Sequence, residues 1–224
     1  MIETKQLVKT FRSGSVVTPV LKGIDFRARA GEWVAIMGRS GAGKSTFLYQ
    51  MSLLDDPTGG EIRIDGENAH AMSANEKMLF RLFRFGFVFQ DYALLPELTA
   101  LENVALPLLM ADLGKGEAYA RSTAAIGRAG LGARLNNLPS ELSGGEQQRV
   151  SIVRAVAHEP KILFADEPTA NLDNDSARRI MEIFTELHRA GQTIIMVTHE
   201  MEYAKLAERI VHIDDGLIVS EERR

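Results

Sequence analysis

Short runs of mainly apolar residues recur along the chain and predict strands that are buried on both faces. They occupy 33–37 (WVAIM), 161–166 (KILFAD) and 193–198 (TIIMVT), with a further run at 86–90 (GFVFQ). Such runs are typical of a parallel sheet covered by helices, because neither face of the strand meets water. Between two of them, residues 173–190 repeat apolar positions at helical spacing and stop before Gly191, which predicts an amphipathic helix. Buried strands that alternate with helices indicate an α/β fold with a mostly parallel sheet.

Other segments alternate apolar and polar residues, as strands do when only one face lies on the core. Ile24, Phe26 and Ala28 follow this pattern, and so do residues 61–66. Further along, residues 210–213 and 217–219 flank an Asp-Asp-Gly turn and predict a hairpin. These segments predict an antiparallel β edge region beside the parallel sheet.

The apolar spacing becomes helical between residues 91 and 158, where glycines and Pro139 break the pattern. No linker, low-complexity tract or internal repeat divides the sequence. We therefore predict a single domain over 1–224. Its catalytic core comprises about 1–90 and 159–224, and an inserted α-helical subdomain comprises about 91–158.

Composition narrows the class of protein. Of the 224 residues, 45% are hydrophobic and 25% are charged, which is typical of a globular protein with a large core. A net charge of −4 argues against a nucleic-acid partner, and the lack of cysteine excludes disulfides and thiolate metal sites. The first residues (MIETKQLVKTF) do not resemble a signal peptide, and the most apolar stretch, 104–111, contains Pro107. Since a membrane span needs roughly twenty apolar residues, we expect a chain that does not cross a bilayer.

Residues 38–46 (GRSGAGKST) form a glycine-rich loop between a predicted buried strand and a predicted helix that ends near Leu54. The loop fits the pattern G-x-x-x-x-G-K-[ST], in which backbone N–H groups surround a triphosphate. Lys44 adds a positive charge for the β- and γ-phosphates, Ser45 can bind Mg²⁺ and Thr46 can reach the α-phosphate. A plain glycine turn is the alternative, but the flanking strand and helix argue against it. The predicted nucleotide-binding residues are Gly38, Arg39, Ser40, Gly41, Ala42, Gly43, Lys44, Ser45 and Thr46.

Two carboxylates, Asp166 and Glu167, stand at the end of the predicted strand 161–166. At the carboxyl edge of a parallel sheet they would lie beside the phosphates. Asp166 can then hold Mg²⁺, directly or through water, while Glu167 accepts a proton from the attacking water. An isolated Asp-Glu pair is more often a solvated turn, but the apolar strand and the upstream glycine loop favour catalysis.

A second glycine turn, 142–148 (LSGGEQQ), precedes a predicted helix from Glu146 to about His158. Its residues Ser143, Gly144 and Gly145 would present unpaired N–H groups and a partial positive charge to an anion. The first loop already suffices for one triphosphate, so no phosphate need remain for the second turn within one chain. The simplest explanation is that two copies share two nucleotides, each copy covering the phosphates that the other holds.

These motifs resemble the ATP-binding cassette (ABC) ATPases, whose signature is LSGG followed by Gln or Glu. The resemblance spans nearly the whole chain and keeps the family's order of motifs. It implies catalytic roles for Gln90 and His199, which both end apolar strands. Gln90 would reach Mg²⁺ or the attacking water, and His199 would hydrogen-bond the γ-phosphate. The remaining histidines are expected to be structural or surface residues: His70, His158, His188 and His212.

Three further residues receive a role from the resemblance. Asp173, in ANLD, matches the D-loop that crosses the dimer interface. Phe11 matches the aromatic residue that stacks on adenine, although a place in the core is equally open for it. Glu146 stands where Gln is commoner in the family, which marks a branch, and we expect its carboxylate not to face the phosphate.

Longer sequence segments, including GFVFQ, SELSGGEQQRV and ADEPTANLD, resemble one branch of this family. That branch contains the lipoprotein-releasing, macrolide-exporting and antimicrobial-peptide-resistance ATPases. The resemblance implies an ATPase that uses ATP and Mg²⁺ and forms a dimer, taken to be of identical copies. It would drive integral membrane permease-type subunits from the cytoplasmic face of the inner membrane, as a peripheral subunit.

The partner subunits are expected to dock in a groove near Gln90–Leu98, which is rich in Tyr92, Leu94, Leu95 and Leu98. Packing of these residues within the helical subdomain is the alternative. A regulatory ABC ATPase that signals through a membrane partner to cell-wall or cell-division enzymes, without transport, is a second possibility for the function. A cassette that acts on DNA or ribosomes usually carries a coiled-coil insertion or a second cassette, and the sequence has neither.

Overall fold

The computed structural model describes residues 2–224, which fall into two compact units. The first unit comprises Met1–Arg81 and His188–Arg224, and the second comprises Leu82–Leu187. The helical subdomain expected over 91–158 falls inside the second unit, and its bounds stay a prediction.

The elements follow one another in an order that mixes strands and helices throughout. The strands are β1 (Ile2–Ser13), β2 (Val16–Ala28), β3 (Trp33–Met37), β4 (Gly59–Ile64), β5 (Glu67–Asn68), β6 (Phe85–Val88), β7 (Ile162–Asp166), β8 (Thr193–Val197), β9 (Arg209–Asp214) and β10 (Leu217–Arg223). The α-helices are α1 (Lys44–Met51), α2 (Ala74–Arg84), α3 (Ala100–Met110), α4 (Lys115–Arg128), α5 (Gly144–Val156), α6 (Asn174–Arg189) and α7 (Met201–Ala204). Short 3-10 helices cover Ala69–Ala71, Gly132–Arg134 and Pro139–Glu141.

The first unit combines antiparallel and parallel strand pairing. Strands β2, β1, β4 and β5 form an antiparallel sheet in that order, while β3 pairs in parallel with both β8 and β9. All of β3 is buried, as its unbroken apolar sequence predicts. Helix α1 buries Phe47, Leu48 and Met51, and the ring of Phe47 meets that of Phe26 edge-on with centroids 5.4 Å apart. The predicted antiparallel edge region and the predicted parallel strands are both present.

The second unit contains two parallel strands, β6 and β7, and a group of packed helices. Helices α3, α4 and α5 surround an apolar core that consists of Ala100, Val104, Ile126, Leu131, Leu142, Val150 and Val153. On α3, the fully buried Asn103 donates from its amide to the carbonyls of Leu95 and Leu98. Its side-chain oxygen accepts the N–H of Leu95 at 2.8 Å, so α3 anchors the loop that precedes it.

Helix α2, which the sequence analysis did not predict, turns its cationic side inward and its apolar side outward. Lys77 pairs with Asp56, and Arg81 donates to the carbonyl of Leu53 at 2.7 Å. Met78 and Phe83 are 44% and 51% exposed. An amphipathic helix normally faces the core with its apolar stripe. Polar contacts, rather than apolar burial, therefore hold the start of this helix.

Two predicted helix ends differ from the observed ones. Helix α1 ends at Met51 instead of near Leu54, because Leu53 adopts a left-handed φ of 58° and the N–H of Leu54 closes the turn onto the carbonyl of Tyr49 at 3.0 Å. Helix α6 starts at Asn174, one residue later than predicted, with Asp173 just before its first turn. Among residues 2–224, no helix has both the length and the apolar character that a membrane span requires.

Candidate functional site

The glycine loop 38–46 leaves the carboxyl end of β3 and opens α1 in the first unit. Gly38 and Gly43 have φ angles of 156° and 100°. A Cβ at Gly38 would lie 2.1 Å from the carbonyl oxygen of Ile213, and one at Gly43 would lie 3.0 Å from that of Val20. Both positions therefore require glycine, because a side chain would meet backbone as well as an unfavourable φ.

The start of α1 is built to face an anion. Gly43 precedes the helix in a left-handed conformation, and within residues 2–224 no side chain caps it. First-turn N–H groups have no acceptor inside the helix, and this end carries a partial positive charge. The ammonium of the buried Lys44 donates to the carbonyls of Gly38 and Arg39 at 3.0 and 3.1 Å, so it lies across the loop. Ser45 and Thr46, half-buried, occupy the next two positions of the same turn.

His199 leaves the strand next to the glycine loop. In the parallel pairing of β3 with β8, Ile36 is opposite Val197, and the N–H of Thr198 donates to the carbonyl of Ile36 at 3.1 Å. The loop and His199 therefore leave adjacent strands at the same edge of the first unit's parallel sheet. The side chain of His199 is exposed.

Phe11 lies on β1 opposite Thr18 of β2. Its ring is 46% exposed, and the ammonium of Lys9 lies 4.9 Å from the ring centroid. A place in the core, one of the two alternatives for Phe11, is therefore excluded. The exposed ring can stack on another planar group.

In the second unit, Gln90, Asp166 and Glu167 follow the ends of adjacent strands, because β6 and β7 pair Val88 with Ala165. Asp166 is only 4% exposed, whereas Glu167 is half-buried and Gln90 is exposed. Glu167 adopts a left-handed φ of 46°. For a residue other than glycine this conformation costs on the order of 1–3 kcal/mol, and such strain is concentrated at functional sites.

The signature turn is a capping box at the start of α5. The N–H of Glu146 donates to the Ser143 hydroxyl oxygen at 3.3 Å, and the Glu146 carboxylate accepts the N–H of Ser143 at 2.8 Å. The second carboxylate oxygen pairs with Arg134 at 3.0 Å. These bonds, the one from Ser143 above all, hold the pKa of Glu146 below its usual value. The Glu146 carboxylate is thus engaged by residues of its own unit.

Close packing within the second unit also leaves little room for a side chain at the two signature glycines. A Cβ at Gly144 would lie 2.9 Å from the Tyr92 hydroxyl, and a Cβ at Gly145 would lie 2.8 Å from the Ser176 hydroxyl. Ser176 in turn donates from its backbone N–H and its hydroxyl to the two carboxylate oxygens of Asp173, at 2.9 and 2.8 Å. These two bonds lower the pKa of Asp173, so this carboxylate caps α6 whatever further role it has.

The segment after Gln90 contacts the segment that follows Glu167. The amide of Asn171 donates to the Gln90 carbonyl at 3.0 Å, and the Tyr92 hydroxyl lies 3.5 Å from the Asn171 carbonyl. In addition, the amide of Gln148 in α5 donates to the Pro168 carbonyl at 2.6 Å. Sequence reasoning missed these contacts, although Asn171 belongs to the ANLD motif that it singled out.

An apolar groove of about 260 Å³ lies in the second unit. Its main apolar walls are Phe85, Phe87, Phe89, Leu106, Pro107 and Met110, and Ala93, Arg154 and His158 line it as well. Burial lowers the pKa of His158, whose ring nitrogen lies 2.9 Å from the Phe85 carbonyl oxygen, so the imidazole is neutral near pH 7.

The leucines that suggested a groove from the sequence have other positions. Leu94 packs against the helical core, as the alternative interpretation expected, and Leu95 is 42% exposed. The groove instead takes its walls from β6 and α3. The alternation of phenylalanines in FGFVF was the signal that could have identified it, since every second residue of a strand faces one side.

A buried parallel strand that runs into a glycine loop, a helix opened by that loop and a lysine that lies across it define a P-loop nucleotide-binding protein. Asp166, a buried carboxylate, stands at the end of β7, and this class has an acidic residue at a strand end.

Comparison with known proteins identifies the family within that class. The ABC transporter family matches residues 21–170. An uncharacterized ABC transporter ATP-binding protein of Methanocaldococcus jannaschii is 48% identical over 219 residues, which cover 98% of each chain. The lipoprotein-releasing system ATP-binding protein LolD of Aquifex aeolicus is 48% identical over 202 residues, or 90% of each chain. The macrolide export ATP-binding/permease protein MacB of Marinobacter nauticus is 44% identical over 99% of this chain, which corresponds to 34% of MacB.

A solved structure agrees with these relatives. The ATP-binding cassette MJ0796, in a dimeric post-hydrolysis state bound to ADP and Pi, superposes with a TM-score of 0.94 at 39% identity. The match covers 100% of this chain and 98% of the other. The chain therefore belongs to the ABC transporter ATP-binding family and is an ATP-binding ATPase. The predicted α/β fold of the ABC ATPase type and the similarity to the lipoprotein-releasing and macrolide-exporting branch are both confirmed.

Proposed function

We propose that this chain is the ATP-hydrolysing subunit of an ABC membrane complex and that two copies close around two ATP molecules. The observation that carries this proposal is the presence of two glycine turns, one at the start of α1 and one at the start of α5. Only one is needed to bind a triphosphate within one chain. The dimeric state of MJ0796 supports the assignment of the second turn to a nucleotide held by the other copy.

Each catalytic step has a candidate residue in this chain. The N–H groups of Gly38–Thr46 and the Lys44 ammonium bind the phosphates, and Phe11 stacks on the adenine. Glu167 accepts a proton from the attacking water, while Gln90 orients that water and His199 donates to the γ-phosphate. From the second copy, Ser143, Gly144 and Gly145 donate to the γ-phosphate, and Asp173 lies at the contact between copies.

The residues proposed for Mg²⁺ are Ser45, Gln90 and Asp166, whose hydroxyl, amide and carboxylate oxygens are the hard donors that this ion prefers. Within residues 2–224, no group of three or more acidic or histidine side chains could hold a metal. This donor set, with its single carboxylate, fits Mg²⁺, which is usually bound through one or two carboxylates and completes its shell with phosphate and water oxygens. When bound, the ion would neutralise charge on the β- and γ-phosphates.

We propose that the apolar groove receives a cytoplasmic segment of an integral membrane partner, with the ATPase on the cytoplasmic face of the inner membrane. The groove offers aromatic and aliphatic walls and no carboxylate, so an apolar partner segment fits it. The similarity to LolD, of a lipoprotein-releasing system, and to MacB, a macrolide export ATP-binding/permease protein, supports a partner of this kind.

Co-purification from detergent extracts tests the partner. The variant Met110→Glu puts a charge at the rim of the groove, where Met110 is 59% exposed, so folding should be unaffected. The matched control is Val219→Glu on β10, at a side chain that is 61% exposed. We expect the control to retain a membrane protein that Met110→Glu loses, while both variants hydrolyse ATP. Undiminished capture by Met110→Glu would contradict docking in this groove.

The identity of the captured protein decides between transport and regulation. A permease-type partner supports export or lipoprotein release. A partner that binds cell-wall or cell-division enzymes supports the regulatory alternative, in which the same cycle signals without transport.

A further inference from the structure

Arg154, near the end of α5, holds the backbone turn that follows Gln90. Its guanidinium donates to the carbonyl of Ala93 at 2.5 Å and to that of Tyr92 at 3.0 Å. Bonds from a charged donor to a carbonyl are stronger than those between neutral groups. The signature helix is therefore tied at its far end to the segment after Gln90, entirely within the second unit.

The turn that Arg154 holds is strained. Tyr92 and Ala93 are consecutive residues with left-handed φ angles of 65° and 47°. Residues that carry a Cβ rarely adopt this conformation, and two in succession need support from their surroundings. The N–H groups of Tyr92 and Ala93 donate to the carbonyls of Phe89 and Asp91 at 3.3 and 2.7 Å. On the other side of each residue, both carbonyl groups of the strained pair accept a bond from the Arg154 guanidinium.

The rest of the segment is fixed from both sides of the strained pair. Asn171 donates to the Gln90 carbonyl, and Asn103 bonds both the N–H and the carbonyl of Leu95. Between these anchors, the turn of Tyr92 and Ala93 determines how the backbone leaves Gln90.

The charge of Arg154 is directed to this turn rather than to an acidic side chain. Across residues 2–224 it forms no ion pair, although burial lowers its pKa. Arg154 also lines the apolar groove together with Ala93.

We propose that Arg154 is a positioning residue for ATP hydrolysis: it keeps Tyr92 and Ala93 in their left-handed turn and thereby sets the position of Gln90. The hydrogen bonds of Arg154 go to the carbonyls of Tyr92 and Ala93, so its effect passes through the Gln90 segment. Arg154 also lies on the wall of the groove, so a docked partner that contacts Arg154 would change the position of Gln90. Both parts rest on the proposed function: the positioning role on the proposed part of Gln90 in hydrolysis, and the partner contact on the proposed docking in the groove.

The test measures kcat and KM for ATP in purified variants without any partner. Arg154→Ala should lower kcat about tenfold, which corresponds to about 1.4 kcal/mol, and should change KM less than about twofold, because the phosphate-binding loop is untouched. Arg154→Lys retains a charged donor group, so its kcat should lie between the kcat of the wild type and that of Arg154→Ala. Arg121→Ala on α4 is the matched control and should leave kcat unchanged, since among residues 2–224 this exposed arginine pairs only with Glu117.

The decisive variant is Ala93→Gly, because glycine adopts the left-handed conformation without steric cost. If Arg154 acts by holding this turn, the double variant Arg154→Ala/Ala93→Gly should have a kcat at least about threefold higher than that of Arg154→Ala. It should do so without restoring the midpoint of thermal unfolding, Tm. A general structural role predicts the opposite, with kcat following Tm and no benefit from glycine.

Failure to restore kcat in the double variant, or a rise in KM at constant kcat, would overturn the proposal. Should Arg154→Ala not fold, the same comparison is made with Arg154→Lys alone and combined with Ala93→Gly. These measurements need no membrane partner, so a failed partner capture leaves them valid, and their failure leaves the partner proposal standing.

Discussion

Two glycines at equivalent helix positions should respond in opposite directions to substitution by alanine. Gly145 and Gly116 are the second residues of α5 and α4, respectively. At Gly145 an added Cβ would lie 2.8 Å from the Ser176 hydroxyl oxygen and 3.0 Å from the Ser176 Cβ. At Gly116 it would meet nothing within 4 Å. Comparing Gly145→Ala with Gly116→Ala therefore separates the cost of the close contact at Gly145 from the general preference of helices for alanine.

The expected magnitudes follow from these distances. Overpacking costs about 1–3 kcal/mol, whereas replacing glycine by alanine at a compatible position stabilises by about 0.4–1 kcal/mol. Gly145→Ala should thus destabilise by about 1–2 kcal/mol, and for a chain of this size its Tm should fall by roughly 2–8 °C. Gly116→Ala should raise Tm by about 1–4 °C.

Thermal unfolding followed by circular dichroism measures both variants, and a double variant locates the cause. Adding Ser176→Ala to Gly145→Ala removes the nearer of the two contacts, so the two substitutions should couple favourably. The Ser176 N–H bond to Asp173 remains in that variant. An unchanged or raised Tm for Gly145→Ala, with Gly116→Ala behaving as expected, would refute the packing argument.

Three other substitutions test the site. Glu167→Gln should still bind ATP but lose at least about 100-fold in hydrolysis and accumulate as a dimer in size-exclusion chromatography with ATP; wild-type turnover would remove Glu167 from its role. Lys44→Ala should weaken ATP binding in isothermal titration calorimetry, and an unchanged affinity would count against the loop assignment. For Glu146, whose pKa is lowered on folding, the Tm advantage of the wild type over Glu146→Gln should be complete above the unfolded pKa of about 4.3. It should disappear as pH falls through the lower folded pKa, and an advantage that persists in stronger acid would contradict the contacts with Ser143 and Arg134.

Much of the architecture could be predicted because it is encoded in local patterns. The run WVAIM followed by GRSGAGKS specifies a buried strand, a turn that requires glycine and a helix start within 13 adjacent residues. Glu146 could likewise be placed in the first helical turn, where the structure shows it in a capping box between residues three apart.

Helix α2 could not be predicted in the same way. Its apolar stripe faces outward, and the contacts that orient it, from Lys77 to Asp56 and from Arg81 to Leu53, join residues far apart in the sequence. The periodicity therefore gives no sign of which side packs.

The contacts that support the site were hidden for a similar reason. Arg154 donates to the carbonyls of Ala93 and Tyr92, which precede it by 61 and 62 positions in the sequence. No local pattern encodes bonds over such separations. The apolar groove combines β6 with α3 and α5, so its location depended on the packing of separate elements. The strained φ of Glu167 is likewise a property of the folded chain, which holds a non-glycine residue in a conformation that its sequence disfavours.

The association of two cassettes around ATP is the central claim, and the specific ATPase activity across a protein dilution series tests it most directly. If each triphosphate is bound between the lysine-bearing loop of one copy and the Ser-Gly-Gly turn of the other, activity per molecule should fall steeply once dilution separates the copies. A constant specific activity at concentrations where light scattering finds only monomers would contradict that claim.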